Sequence, residues 1–82
     1  MHIHRTGTHW ERVDAQSQTH YIDINTDEVV VGSHGNTPDS DHAASCSLEA
    51  FRLGALQETV VAHFSAEIFE EVLKALGVAI KP

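Results

Sequence analysis

THYIDINTDEVVVG, residues 19–32, carries the reading that decides the fold class. Ile22 and Ile24 fall on one side of its first half and Tyr21 and Asp23 on the other, the alternation that a strand with one buried face requires. Residues 28–32 are rich in valine, whose branched side chain suits a pleated surface better than a helix. Between the two runs, Asn25-Thr26-Asp27 has turn chemistry, because Asn and Asp hydrogen-bond their own backbone and tolerate unusual φ. The stretch therefore reads as a β-hairpin. Toward the N-terminus, residues 8–14 carry Trp10 and Val13 and read as another strand, joined by the polar, hairpin-sized connector 15–18. The result is a three-stranded antiparallel meander, four-stranded if residues 2–5 add a strand rather than a lead-in. Trp10 and Val13 have opposite parity, so both can point into the core only if the strand contains a bulge.

Toward the C-terminus, residues 32–45 contain two glycines, Asn36, Pro38 and small polar residues, and read as a loop in which Thr37-Pro38 could cap one short helical turn. At residue 47 the pattern changes to a spacing of three and four. Ser47 stands as an N-cap before Leu48, with Glu49 in the first turn. Leu48, Phe51, Leu56, Val60 and Phe64 can share one apolar face. Gly54 inside that run costs roughly 1 kcal/mol relative to Ala, which points to a kink or a close contact. Ser65 is a second N-cap, followed by a stripe of Ile68, Phe69, Val72, Leu73 and Leu76 opposite Glu67, Glu70, Glu71 and Lys74. Gly77 suits a left-handed C-cap, and Ile80 could tuck the tail back onto the body. The expectation is an α+β fold in a single domain spanning residues 1–82. It comprises a strand region at 1–35, a loop at 36–46, a two-helix hairpin at 47–77 packed on one sheet face, and a tail at 78–82.

Eighty-two residues can carry a hydrophobic core without a disulfide or a metal. Charge is the more informative quantity. Between Arg12 and Arg52 there is no Lys or Arg, while Asp14, Asp23, Asp27, Glu28, Asp39, Asp41 and Glu49 fall in that stretch, and the formal net charge is −7 with the histidines neutral. A negative field of this kind disfavours direct binding to nucleic-acid phosphates. The aliphatic run at 29–31 is too short for a bilayer span or a signal h-region, so no membrane association is expected. Cys46 is the only cysteine and can form no internal disulfide, which suits a reducing compartment, and a cytoplasmic location is the corresponding expectation.

The functional expectation is a small protein–protein interaction module that inhibits, adapts or regulates a macromolecular partner. Its contact surface would be the acidic strand-and-turn region, Asp14, Asp23, Asp27 and Glu28, together with Tyr21 and, if it faces away from the helices, Trp10. Ordinary core packing is the competing role for Trp10. An acidic surface suits a basic protein partner, including one that itself binds nucleic acid. The uncovered sheet face and edges also leave room for a second copy, hence a homodimer. No enzyme activity is expected. Cys46 and His42 lack an identifiable orienting group, and Gly32-Ser33-His34-Gly35 lacks both the P-loop lysine and the dinucleotide fingerprint. The alternative is a zinc domain built on His34, Asp39, His42 and Cys46, since these are zinc-ligand types and His42 and Cys46 would share a face if helical. Their spacing matches no standard zinc pattern, and no other cofactor is implied.

The seven histidines ordinarily titrate near physiological pH, so mild acidification removes most of the negative charge. Turbidity followed from neutral pH downward should pass through a maximum near the pI of 5.3. A solution that stays clear across the range would contradict this.

Overall fold

Paired residues from neighbouring strands line up in cross-strand rows, and these rows organise the molecule. The structure, a computed structural model, describes residues 2–79, with only the backbone for 78 and 79. Among these residues five strands, β1 (His4–Thr6), β2 (His9–Val13), β3 (Thr19–Ile24), β4 (Glu28–His34) and β5 (His42–Ser47), precede three α-helices, α1 (Leu48–Arg52), α2 (Gln57–His63) and α3 (Ala66–Ala79). The sheet is an antiparallel meander in the order β1-β2-β3-β4-β5. This is the expected α+β architecture with a larger sheet.

Side-chain hydrogen bonds set both central turns. Asp14 Oδ1 accepts from the backbone N–H of Gln16 (2.8 Å) and Gln18 (3.0 Å), closing the β2–β3 connection. Asn25 Oδ1 accepts from the N–H of Asp27 and Glu28 and closes the β3–β4 connection as its sequence suggests. Along one row Arg5, Trp10, Ile22, Val31 and Ala44 stand side by side, and along the next Ile24, Val29 and Cys46 do so. Trp10, Ile22, Ile24, Val29 and Val31 are buried with Phe51, Val60, Phe64, Phe69, Val72, Ala75 and Leu76, so the helices cover this face of the sheet. Trp10 takes the inward position and Val13 the outward one, 60% exposed, with an unbroken register and no bulge.

Three expectations are corrected. Part of the segment read as a loop is β5, paired with β4 from Glu28↔Ser47 to Ser33↔His42. Its sequence, HAASCS, has no hydrophobic alternation because an edge strand with little burial needs none. The valine-rich β4 supplies the template. Within the same segment, Pro38–Ser40 forms one 3-10 turn after Thr37, whose hydroxyl bonds Ser40 Oγ rather than a backbone N–H.

The helical region has three helices rather than two. Ser47 caps α1 as expected, accepting from the Ala50 N–H, but the helix ends after Arg52. Gly54 sits at φ +107° and Leu56 at φ +64°, backbone conformations that no right-handed helix contains. The break turns Leu56 toward the core, which it packs against, and leaves Leu53 83% exposed. Ser65 caps α3 through the Ile68 N–H. Gly77 lies inside α3 rather than at a left-handed cap. The expected contact of Ile80 lies outside the described residues.

Gly32 lies beneath the Tyr21 ring on the face opposite the helices, its cross-strand partner in the register. A Cβ there would stand 2.5 Å from the His42 carbonyl oxygen and 2.7 Å from the Tyr21 hydroxyl. Gly32→Ala should lower stability by about 1–3 kcal/mol, because the backbone oxygen can move only with the β4–β5 pairing. Urea unfolding checks this, and an unchanged midpoint would refute the close packing.

Candidate functional site

The face of the sheet turned away from the helices carries His4 and Thr6 from β1, His9, Glu11 and Val13 from β2, and Thr19, Tyr21 and Asp23 from β3. Glu28, Val30 and His34 from β4 and Ala43 and Ser45 from β5 complete it. Among the described residues, none of the four Lys and Arg side chains belongs to this surface. Arg5 stacks over the Trp10 ring at 4.6 Å and donates to Glu71 on α3, Arg12 Nε donates to the His63 carbonyl, Arg52 donates to the Leu76 carbonyl, and Lys74 is on α3. Positive charge is gathered on the helical side. The open face keeps Glu11, Asp23 and Glu28, with Asp27 exposed in the adjoining turn.

Of the residues expected to contact a partner, Tyr21, Asp23 and Glu28 come together on this face, and Asp27 borders it. Trp10 does not join them. It is fully buried on the other side, where its indole N–H donates to Glu71 Oε1 at 2.9 Å. Asp14 is also diverted, since its carboxylate accepts from two turn amides and meets a histidine on the helical side. Sequence reading does not single out Glu11, nor the pairing of His9 with carboxylates. The available signal is parity, since one residue, the buried Trp10, separates His9 from Glu11 and puts both on the opposite face.

His9 lies between acids, with Nε2 3.0 Å from Glu11 Oε1 and Nδ1 3.5 Å from Asp23 Oδ1. The hydrogen bond that its Nε2–H donates to Glu11 is the main cause that raises its pKa above the ordinary value, with Asp23 adding to it and partial burial opposing it. Protonation therefore tightens this trio.

The residues of the alternative zinc reading are dispersed. His34 is on the open face, and His42 pairs with Ser33 on the opposite face. His42 and Cys46 are four residues apart along a strand, which separates them by about 13 Å, whereas helical geometry would have made them neighbours. Asp39 lies in the 3-10 turn. Among the described residues no group of three or more His, Cys, Asp or Glu side chains is arranged to hold a metal ion. Burial, followed by the charge of Glu28, raises the Cys46 thiol pKa, the opposite of what an activated thiolate needs.

A second polar cluster lies beneath the helices, in the row Arg12, His20, Ser33 and His42. His20 Nε2 meets Asp14 Oδ2 at 2.9 Å, and its Nδ1 meets Nδ1 of His63, the last residue of α2, at 2.7 Å. Gln18 Nε2 donates to Ser33 Oγ and to the Ser40 carbonyl. The His20 ring N–H and the amides of Gln18 and Gln16 hold the Asp14 carboxyl below its usual pKa. Burial, then the charges of His20, Arg12 and His42, push His63 down.

Comparisons with protein-family models, with curated proteins and with solved structures gave no match to this chain. The site must therefore be read from its own chemistry.

A histidine with a raised folded-state pKa contributes stability that is fully present below its unfolded value, near 6.5, and is lost as pH rises through the folded value. His9→Gln removes that contribution. The stability difference between wild type and His9→Gln, read from urea midpoints, should be larger at pH 6 than at pH 8.5. Equal differences at both would contradict the ion-pair geometry.

Proposed function

We propose that the protein is a small binding module that docks its open sheet face onto a basic protein surface and thereby inhibits, adapts or regulates that partner. The observation that supports this reading most directly is that, among the described residues, no Lys or Arg stands on the open face. Glu11, Asp23, Glu28 and the bordering Asp27 stand on or beside the face the helices leave uncovered, while every described Lys and Arg belongs to the helical side. Tyr21, half-buried over Gly32, gives that face an aromatic centre with a polar tip, a side chain enriched where protein surfaces meet.

A field of one sign would steer a lysine- or arginine-rich partner and repel phosphates. Binding governed by such a field is fast and salt-sensitive. An activity through protein contact, in the cytoplasm and without a bound cofactor, is the form of function that fits the residues on this face. Self-association through the same face has less to support it, because two copies would bring like charges together.

A lysine-rich peptide titrated into isotopically labelled protein tests the reading. Backbone shifts should concentrate at His9, Glu11, Tyr21, Asp23 and Glu28, and affinity should fall steeply between low and physiological ionic strength. A Glu11→Gln, Asp23→Asn, Glu28→Gln triple variant should lose most of the binding while keeping its fold. Shifts centred on the helices, or equal affinity in the triple variant, would overturn the proposal.

A further inference from the structure

The helix α2 is seven residues long, is entered through the positive-φ residues Gly54 and Leu56, and ends at His63 against the β2–β3 end of the sheet. Arg12 and two imidazoles hold that end. Arg12 Nε donates to the His63 carbonyl at 2.6 Å, and its guanidinium lies 5.9 Å from the centre of the buried Phe64 ring. His63 Nδ1 and His20 Nδ1 are 2.7 Å apart, and His20 Nε2 is 2.9 Å from Asp14 Oδ2. With its side chain only 12% exposed, His20 has little access to water as a substitute partner.

A contact between two ring nitrogens admits one hydrogen. With both rings neutral, His20 donates Nε2–H to Asp14 and accepts at Nδ1 from the Nδ1–H of His63. With one proton added, His20 becomes a double donor, to Asp14 and to His63 Nδ1, and His63 carries its hydrogen on Nε2. With a second proton added, both Nδ1 atoms bear hydrogens that point at each other across 2.7 Å, between two positive rings. The first two states keep the contact and the third cannot.

We propose that Asp14, His20 and His63 form a proton-counting clasp, which holds the C-terminal end of α2 on the sheet through the first added proton and releases it at the second. The charged and titratable groups that face the pair are Asp14 from the β2–β3 turn, Arg12 from β2 and His42 from β5. Of these only Asp14 is negative, and it is already bonded to His20. Glu58 on α2 and Glu67 on α3 make no ion pair with His63, and no other carboxylate among the described residues does, so the second proton drives the ring outward into water. Release carries Phe64 with it and uncovers the apolar end of the core beside Val60.

The sign of the pH dependence follows from the direction of each shift. His63 is depressed, so an opened chain takes up a proton that the closed one refuses, and closure weakens as pH falls below about 6.5. Asp14 is also depressed and stays ionised through that window, so the loss arises from His63 rather than from the carboxylate.

Hydrogen–deuterium exchange on the full chain, normalised to the intrinsic rate at each pH, tests the clasp. Protection of the Val60 and Phe64 amides should fall about tenfold or more between pH 8 and pH 5, while the buried turns of α3 keep theirs. His63→Gln should abolish the pH-dependent part, because glutamine can reach the site but takes no proton. His20→Gln should do the same and serves if the first variant fails to fold. Unchanged α2 protection in the wild type across this range, or an undiminished pH response in either folded variant, would overturn the proposal.

Discussion

Trp10 has no exposed surface, and its indole N–H reaches an acceptor, Glu71 Oε1 at 2.9 Å, on the helix that closes the far side of the core. An indole buried without that acceptor would cost about 1–3 kcal/mol. The bond therefore sets where α3 can lie on the sheet. Arg5 completes the arrangement from the edge strand by stacking on the ring and sharing the same carboxylate oxygen. With Trp10 so placed, strand parity puts Ile22 and Val31 beside it and sends His9 and Glu11 to the opposite face.

Two surfaces of different character result. The covered face is banded: rows of aliphatic side chains lie under the helices, and the row Arg12, His20, Ser33 and His42 borders them at the end where the β2–β3 turn and α2 meet. Arg12 and His20 in that row bond to His63, His20 also to Asp14, and Ser33 to Gln18, and no buried side-chain nitrogen or oxygen among the described residues lacks a partner. The open face has acids and imidazoles in solvent and, among the described residues, no Lys or Arg. Acids stand on both sides of the sheet, but among the described residues Lys and Arg stand only on the helical one, and this makes the molecule two-sided.

Much of this was legible in the chain, and the misses have physical causes. Alternation in residues 19–24, the valines of β4 and the Asn25 turn specify the central hairpin without help from the rest of the fold. β5 was not legible, because an edge strand of Ala, Ser and Cys carries no pattern of its own and takes its conformation from β4. The break after Arg52 was half legible. Gly54 marked it, but a leucine at φ +64° is a conformation only tertiary packing can impose. On the open face, Tyr21, Asp23 and Glu28 followed from parity, whereas the diversion of Asp14 to His20 depends on a turn geometry that residue types alone do not specify. The pairing of His20 with His63 joins residues 43 positions apart and had no local signal at all.

Strand order equal to chain order has a topological consequence. Each sheet pairing joins a strand to the next one along the chain, so every hairpin closes over a short connection, and loop-closure entropy accumulates in small steps. The long closures belong to the apolar core and to four polar contacts: Arg5 and Trp10 to Glu71 span 66 and 61 residues, and Arg12 and His20 to His63 span 51 and 43. All four cross from the first strands to the helical layer. The non-local order of this chain is thus concentrated in the seam between its two layers, tied at one end by a carboxylate on α3 and at the other by an imidazole on α2.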